Sequence, residues 1–190
     1  MAMPTFALPL PRYTVEDLDR FPDDGNRYEL LEGWLIVSPL PSSRHQGIVV
    51  RLFRALDDHL GRGTQGHVYP VGAVHRGPTT RLLPDLLVVS PQGRPGVEWA
   101  EMTDPWLAVE VLSRSTEAYD RRYKVDAYLA LGVREVWLVD PRARAIEVHR
   151  VIREEPTRVT DVLTWRAPTL ATPLTLDVAA LFADAVPDAE

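Results

Sequence analysis

The chain has 190 residues, a formal net charge of −6 and 45% hydrophobic residues, enough to close the core of one domain. With 25% charged residues and no cysteine, it is neither disordered nor fibrous, and disulfides, thiolate metal sites and cysteine nucleophiles are excluded. Apolar stretches fall far short of the roughly 20 residues of a membrane span, and residues 1–10 lack a signal-peptide pattern. We therefore expect a single cytoplasmic domain over residues 1–190, without membrane association.

The first third of the sequence predicts helices on either side of a hairpin. These elements are a short helix over residues 13–20, a hairpin of residues 28–31 and 34–37, and a helix over 43 to about 60. Thr14 and Ser42 are suitable N-caps for the two helices. Glu32-Gly33, between two short apolar runs, indicates a tight turn.

The remainder predicts strands alternating with helices. Strands are expected over 67–75, 82–89, 106–112, 133–139, 145–151 and 159–165, and helices over 116–131 and 178–182. Ser113, Ser115 and Thr116 are expected to cap the first of these helices, Gly132 to end it, and Asp177 to cap the second. The sequence contains no repeat or linker, so the pattern predicts one α/β domain with helices packed on a mixed sheet.

Two carboxylates in apolar strands are candidates for chemistry. Asp85 lies near the start of a hydrophobic strand, and Glu110 lies inside the apolar run 106–112. A carboxylate buried in a strand is costly unless a cation, a metal or a donor compensates it. Two such groups on neighbouring strands would form a hard-oxygen site for Mg²⁺ or Mn²⁺, which beside a phosphodiester can activate water.

Lys124 is the only lysine among 21 basic residues. On a helical wheel Tyr123, Ala127, Tyr128 and Leu131 lie within about 100° of it, which directs the lysine toward the sheet. A lysine there could position the attacking water or stabilise the charge of a transition state.

Ordinary structural roles remain open for these three residues. Asp85 could be a strand-entry residue, Glu110 could lie on an exposed edge, and Lys124 could simply pair with Asp120 at i, i+4.

Further polar residues, Asp120 among them, could support such a site. His45, in the first turn of its helix, is either a hydrogen-bonded core histidine or a group that orients water or phosphate at the edge of the site. Glu29 is either an exposed strand residue or a further acidic member of the metal site. Besides capping, the helix start near Ser113 could meet a phosphate. Zinc signatures, Gly-rich phosphate loops and a Ser-His-Asp order are missing, so we expect no small-molecule cofactor.

Several motifs together resemble a known family. They are residues 28–33 (YELLEG), the helix of His45, and residues 84–88 (PDLLV), 109–116 (VEVLSRST), 120–124 (DRRYK) and 132–141 (GVREVWLVDP). In this order, over residues 12–182, the chain resembles the Uma family, described as restriction endonucleases, of the PD-(D/E)XK nuclease superfamily.

The resemblance implies a restriction-endonuclease-like fold, with a central mixed β-sheet flanked by α-helices and an N-terminal β-hairpin. It assigns Asp85 and Glu110 as metal ligands for Mg²⁺, with Mn²⁺ as a substitute, and Lys124 as the catalytic lysine. Two positions depart from the pattern. Leu112 stands where the superfamily motif usually has its lysine, and Arg114 stands where a proline is common.

These observations predict a Mg²⁺-dependent endodeoxyribonuclease. Because the net charge is −6, DNA would have to be bound through metal ions or a local strip of arginines. Arg51, Arg54, Arg121 and Arg122 are the candidates for phosphate contacts. A homodimer is an expectation from the family alone.

The sequence leaves two other functions open. A catalytically inactive, nuclease-like binding or assembly module would be favoured if Lys124 pointed to solvent or if no divalent metal bound. An acid–base hydrolase could use Asp85 and Glu110 as its carboxylate pair, but the sequence shows no cluster of aromatic residues for stacking on sugars.

Overall fold

The structure, a computed structural model, describes residues 12–70, 72–152 and 154–183, so the expectation about residues 1–10 falls outside the described residues. The first elements are α1 (Val15–Leu18), β1 (Arg27–Leu31), β2 (Trp34–Ser38) and α2 (Ser43–His59). The middle of the chain forms β3 (His67–Pro70), β4 (Val74–Arg76), β5 (Thr80–Leu82), β6 (Leu86–Val89), a 3-10 turn (Trp99–Glu101) and β7 (Pro105–Val111). Next come α3 (Glu117–Tyr119), a π-helical turn (Asp120–Lys124) and α4 (Val125–Ala130). The last elements are β8 (Glu135–Asp140), β9 (Ala145–His149), β10 (Thr157–Val159), β11 (Val162–Trp165), β12 (Leu174–Asp177) and α5 (Val178–Leu181).

A mixed sheet forms the centre of the fold. Within the described ranges it has six strands in the order β10-β9-β8-β7-β6-β3. β7 and β8 pair in parallel, and the other neighbours are antiparallel. The hairpin β1–β2 belongs to a separate antiparallel sheet of order β2-β1-β5-β4, and β11 pairs with β12.

Side-chain alternation along β7 divides the core into two layers. Leu107, Val109 and Val111 pack in the cluster that contains α2 and α5, whereas Ala108 lies in the cluster that contains α4. Because successive side chains of a strand point to opposite faces, Glu110 lies on the α4 face. A central mixed sheet flanked by helices, with an N-terminal hairpin, is therefore confirmed.

Local signals predicted several elements correctly. Thr14 and Asp17 form a capping box at α1, Ser42 accepts a hydrogen bond from the His45 backbone at the start of α2, and Asp177 caps α5. The hairpin turns at Glu32 and Gly33, as expected.

The predicted strands 67–75, 82–89 and 159–165 are wrong as continuous strands. The first is divided between β3 and β4, which lie in different sheets, and the last between β10 and β11. The second is interrupted at residues 83–85, where the chain crosses from β5 in one sheet to β6 in the other. Pro84 lacks a backbone N–H, which suits such a break in the ladder.

The predicted helix over 116–131 is interrupted by the π-helical turn, and the side-chain capping predicted at its start is wrong. No side-chain cap bond is made by Thr116, and the Ser113 hydroxyl instead lies 3.0 Å from the hydroxyls of both Ser115 and Thr116. Tyr123 was expected on the sheet side but is 47% exposed, because the wider turn changes the phase of the helix.

Candidate active site

A cavity of about 310 Å³ opens where the hairpin, the start of α2, the crossover before β6 and the end of β7 meet the α3–α4 segment. Its lining contains the predicted residues Glu29, His45, Asp85, Glu110, Ser113, Asp120 and Lys124. Tertiary structure therefore brings together residues that are far apart in the sequence.

Asp85 is held by donors from three elements. Arg27 Nη1 donates to Oδ1 at 2.6 Å, while His45 Nε2 at 3.0 Å and the backbone N–H of Val111 at 2.8 Å both contact Oδ2. Burial by itself would raise the pKa of Asp85, but the contacts with His45, Arg27 and Val111 lower it to about 2. Asp85 is thus an ionised carboxylate in a fixed orientation.

Glu110 receives two hydrogen bonds on the same oxygen. Lys124 Nζ lies 3.0 Å and the Tyr128 hydroxyl 2.6 Å from Oε1. Burial raises the pKa of Tyr128 well above its usual value, and the charge of Glu110 adds to this effect, so the hydroxyl keeps its proton and can donate. Glu110 itself lines the cavity, whereas Tyr128 is completely buried behind it.

Lys124 lies among three carboxylates. Its Nζ is 2.8 Å from Glu29 Oε2, 3.0 Å from Glu110 Oε1 and 3.6 Å from Asp120 Oδ1. Although burial lowers the pKa of Lys124, these carboxylates raise it above its usual value, so the ammonium stays charged. The pairing with Asp120 left open by the sequence exists, but as one part of a larger cluster.

Glu29 connects the lysine to the crossover that carries Asp85. Its Oε1 accepts the backbone N–H of Leu83 at 2.7 Å, and its Oε2 contacts Lys124. Glu29 is therefore a buried member of the cluster and not an exposed strand residue.

The electrostatics of the cavity favour binding of a cation. Four buried carboxylates (Glu29, Asp85, Glu110 and Asp120) line the cavity together with the cationic side chains of Lys124 and Arg27, so the carboxyl groups outnumber these two cations. Burial raises the pKa of Glu110 to about 8; Lys124 opposes this rise, and the other three carboxylates increase it. An added positive charge beside Glu110 is therefore stabilised.

The donor chemistry fits a divalent cation held by two protein ligands. Carboxylate oxygens are the ligands that Mg²⁺ and Mn²⁺ prefer, and Mg²⁺ commonly uses one or two of them together with water or substrate oxygens. Within the described part of the chain, no cluster of three or more His, Cys, Asp or Glu side chains is arranged to hold a metal. Asp85 and Glu110, the pair expected from the sequence, both line the cavity and could hold such a cation.

The arginines proposed from sequence do not line this cavity. Arg51 donates to the Leu181 carbonyl, Arg54 is exposed on α2, and Arg122 lies over the ring of Tyr123. Arg121 pairs with Glu117, Asp140 and Glu147.

Sequence reasoning missed three residues near the site. Arg27 binds Asp85 and the Leu83 carbonyl, Tyr128 binds Glu110, and Arg114 lines the cavity mouth. A signal existed for Arg27, because it lies two residues before Glu29 and so shares its face of β1. Tyr128 lies one helical turn after Lys124, and that spacing places both side chains on the same face of the helix.

The mixed sheet and its helices define an α/β protein in which buried carboxylates and a lysine meet in one cavity. The chain is similar to the crystal structure of "a putative nuclease belonging to DUF820 from Anabaena variabilis ATCC 29413", with a TM-score of 0.72 and 19% identity. That similarity covers 90% of this chain and 97% of the other.

The Uma2 family model, described as "Putative restriction endonuclease", matches residues 15–179, and the chain belongs to this family. No curated protein matches the chain. Across the described residues, no helix has the length and apolar character needed to cross a membrane.

Proposed function

We propose that this protein is a Mg²⁺-dependent endonuclease that hydrolyses DNA phosphodiester bonds. Asp85 and Glu110 are the metal ligands, and Lys124 is the catalytic lysine. The observation that carries the proposal is that Lys124, only 3% exposed, places Nζ 3.0 Å from Glu110 Oε1 in the same cavity as Asp85. Membership in a family of nucleases supports it.

Each residue contributes a defined part of the chemistry. Mg²⁺, with Mn²⁺ as a substitute, supplies charge neutralisation at phosphate and activation of water when bound. Asp85 stays ionised, because His45 and Arg27 hold its pKa low. The ammonium of Lys124 can hold the attacking water or offset the charge that develops on the phosphate. Glu29 and Asp120 keep that ammonium directed at the cavity.

The alternative, an inactive binding or assembly module, gains no support from the position of Lys124. It would be favoured by a solvent-facing lysine, and this one is buried among carboxylates. Buried charge clusters are costly to stability, and a scaffold that needs no chemistry has little reason to keep one. Homodimer formation and a cytoplasmic location stay predictions.

The test is cleavage of supercoiled plasmid DNA with Mg²⁺, with Mn²⁺ and with EDTA. We expect cleavage in both metals and none in EDTA. Glu110→Gln and Lys124→Met should each lower the rate by about 100-fold or more, the usual effect of removing a group that stabilises a transition state. Glu135→Gln is the matched control, because Glu135 is also buried but binds Trp137 and Arg150 outside the cavity.

Three other outcomes would each contradict part of the proposal, provided that circular dichroism shows the variants to be folded. Full activity of Lys124→Met would contradict the role of the lysine. A wild type that binds Mn²⁺ but leaves DNA intact would favour the binding module. Hydrolysis that persists in EDTA would favour metal-independent acid–base chemistry.

A further inference from the structure

Two loops of different chemistry form the mouth of the cavity. One loop precedes α2 and contributes Pro39, Leu40 and Pro41. Leu40 is 76% exposed, the highest value among the exposed large apolar side chains in the described ranges. Because prolines on both sides restrict the backbone, Leu40 is presented with little conformational freedom to lose on binding.

The second loop, residues 113–116, joins β7 to α3 and carries a cation. Arg114 is exposed, lines the cavity, and makes no hydrogen bond or ion pair with the residues that the structure describes. Beside it the hydroxyls of Ser113, Ser115 and Thr116 lie close together. The guanidinium therefore adds positive charge at the mouth of a cavity whose interior is acidic.

The depth of the cavity separates the groups inside it from those at its mouth. Glu110 and Lys124 are each only 3% exposed, whereas Leu40 and Arg114, which line the same cavity, are exposed. When a scissile phosphate reaches Glu110 and Lys124, the neighbouring phosphates and bases must lie across the mouth. There they meet Arg114 and Leu40.

We propose that Leu40 and Arg114 form a DNA-binding mouth that selects DNA with unpaired bases at the cleavage point. This inference rests on the proposed nuclease function. Arg114 binds a phosphate next to the scissile one, and Leu40 packs against an unstacked base. Apolar side chains that enter DNA separate stacked bases, and the free-energy cost of this separation is least where the bases are already unpaired.

The test measures binding by fluorescence anisotropy, with Ca²⁺ in place of Mg²⁺, on a labelled duplex and on the same duplex with a central unpaired bubble. We expect the wild type to bind the bubble about tenfold more tightly. Leu40→Ser should remove this preference. Arg114→Ala should weaken binding of both DNAs alike and lower the slope of log affinity against log salt by about one.

Matched controls come from the same kinds of residue elsewhere on the surface. Val162→Ser removes an apolar side chain that is 53% exposed on β11, and Arg94→Ala removes an exposed arginine outside the cavity. Both variants should bind like the wild type.

Failure of this inference differs from failure of the proposed function. A bubble preference that survives in Leu40→Ser, or an unchanged salt slope in Arg114→Ala, overturns the inference. Metal-dependent cleavage without any bubble preference also overturns it but leaves the nuclease function in place. A wild type that neither binds nor cleaves either DNA overturns both.

Discussion

At the scale of single residues, the feature that distinguishes this site is the unequal use of the two oxygens of Glu110. Tyr128 and Lys124 both donate to Oε1, from the helical side of the sheet. A carboxylate held at one oxygen cannot rotate freely, so its Oε2 keeps one orientation. If Glu110 is the metal ligand of the proposed function, Tyr128 is a positioning residue that acts through it, in the way that outer hydrogen bonds orient the ligands of metal sites.

Tyr128→Phe tests this role by isothermal titration of Mn²⁺. The variant loses one hydroxyl group, and we expect its Mn²⁺ affinity to fall by about 10-fold or more, the usual effect of removing a hydrogen bond to a metal ligand. Tyr119→Phe is the control, because the buried Tyr119 hydroxyl has no hydrogen-bond partner among the described residues. Equal Mn²⁺ affinity in the two folded variants would mean that Tyr128 serves packing alone.

At the scale of elements, the hairpin and the α3–α4 segment hold the two sides of the cavity. The hairpin supplies Arg27 and Glu29 from one strand, and its turn uses Glu32 and Gly33 at φ of 51° and 83°. Positive φ at both central residues is typical of the tight turn that matches the twist of paired strands. The geometry of this turn therefore contributes to the position of both charged groups.

Alanine at two glycines should affect stability in opposite directions. Gly33 has a positive φ, which is unfavourable for alanine, and an added Cβ would lie 3.2 Å from Arg12 Cβ. We therefore expect Gly33→Ala to lower the free energy of unfolding by about 1–2 kcal/mol. At Gly47, inside α2, a Cβ would meet no atom within 4 Å, so Gly47→Ala should raise it by about 0.5–1 kcal/mol. Urea unfolding measures both, and a stabilising Gly33→Ala would contradict the turn geometry.

At the scale of the whole molecule, the excess of buried carboxyl groups over cations in the cavity predicts that metal binding would stabilise the folded state. A ligand that binds only the folded state at about 100 times its Kd adds roughly 2.7 kcal/mol to the free energy of unfolding. For a domain of this size, that gain corresponds to a rise in Tm of about 5–10 °C. We expect this rise with Mn²⁺, its reversal by EDTA, its loss in Glu110→Gln and its retention in Glu135→Gln. An unchanged Tm in the wild type would contradict a cation site in the cavity.

Acid should destabilise the protein in part through His59. Burial lowers the pKa of His59 below its ordinary value of 6.5, and its Nε2 is buried without a hydrogen-bond partner among the described residues. Because the unfolded chain then binds a proton more readily than the folded chain, this contribution to stability is present above pH 6.5 and is lost as the pH falls below that value.

In the wild type the ring centroids of His59 and Trp165 lie 6.4 Å apart. His59→Phe keeps an aromatic ring at this position and removes the titrating group. Urea midpoints measured from neutral to acidic pH should fall less steeply in this variant than in the wild type. Parallel pH profiles would show that His59 does not contribute to acid sensitivity.

The sequence by itself determined the elements that depend on neighbouring residues. Capping residues, the Glu32-Gly33 turn and the helical spacing of apolar side chains are local, so α1, the hairpin, α2 and α5 were predictable. The sheet-facing direction of Lys124 was also predictable, because helical geometry relates it to Tyr128 and Leu131. Family motifs then indicated Asp85 and Glu110.

Only the tertiary structure decided which strands share a sheet and which groups meet at the cavity. Strand pairing joins residues far apart in the chain, and a period of two is the same whichever partner a strand has. Pro84 indicates a break in residues 82–89, but no local pattern shows which sheet each part of residues 67–75 and 82–89 joins. For the same reason the contacts of Arg27 with Asp85 and of Glu29 with Lys124 could not be derived from spacing. The charge balance of the cavity follows from these long-range contacts, because burial and proximity set the free energy of each charge.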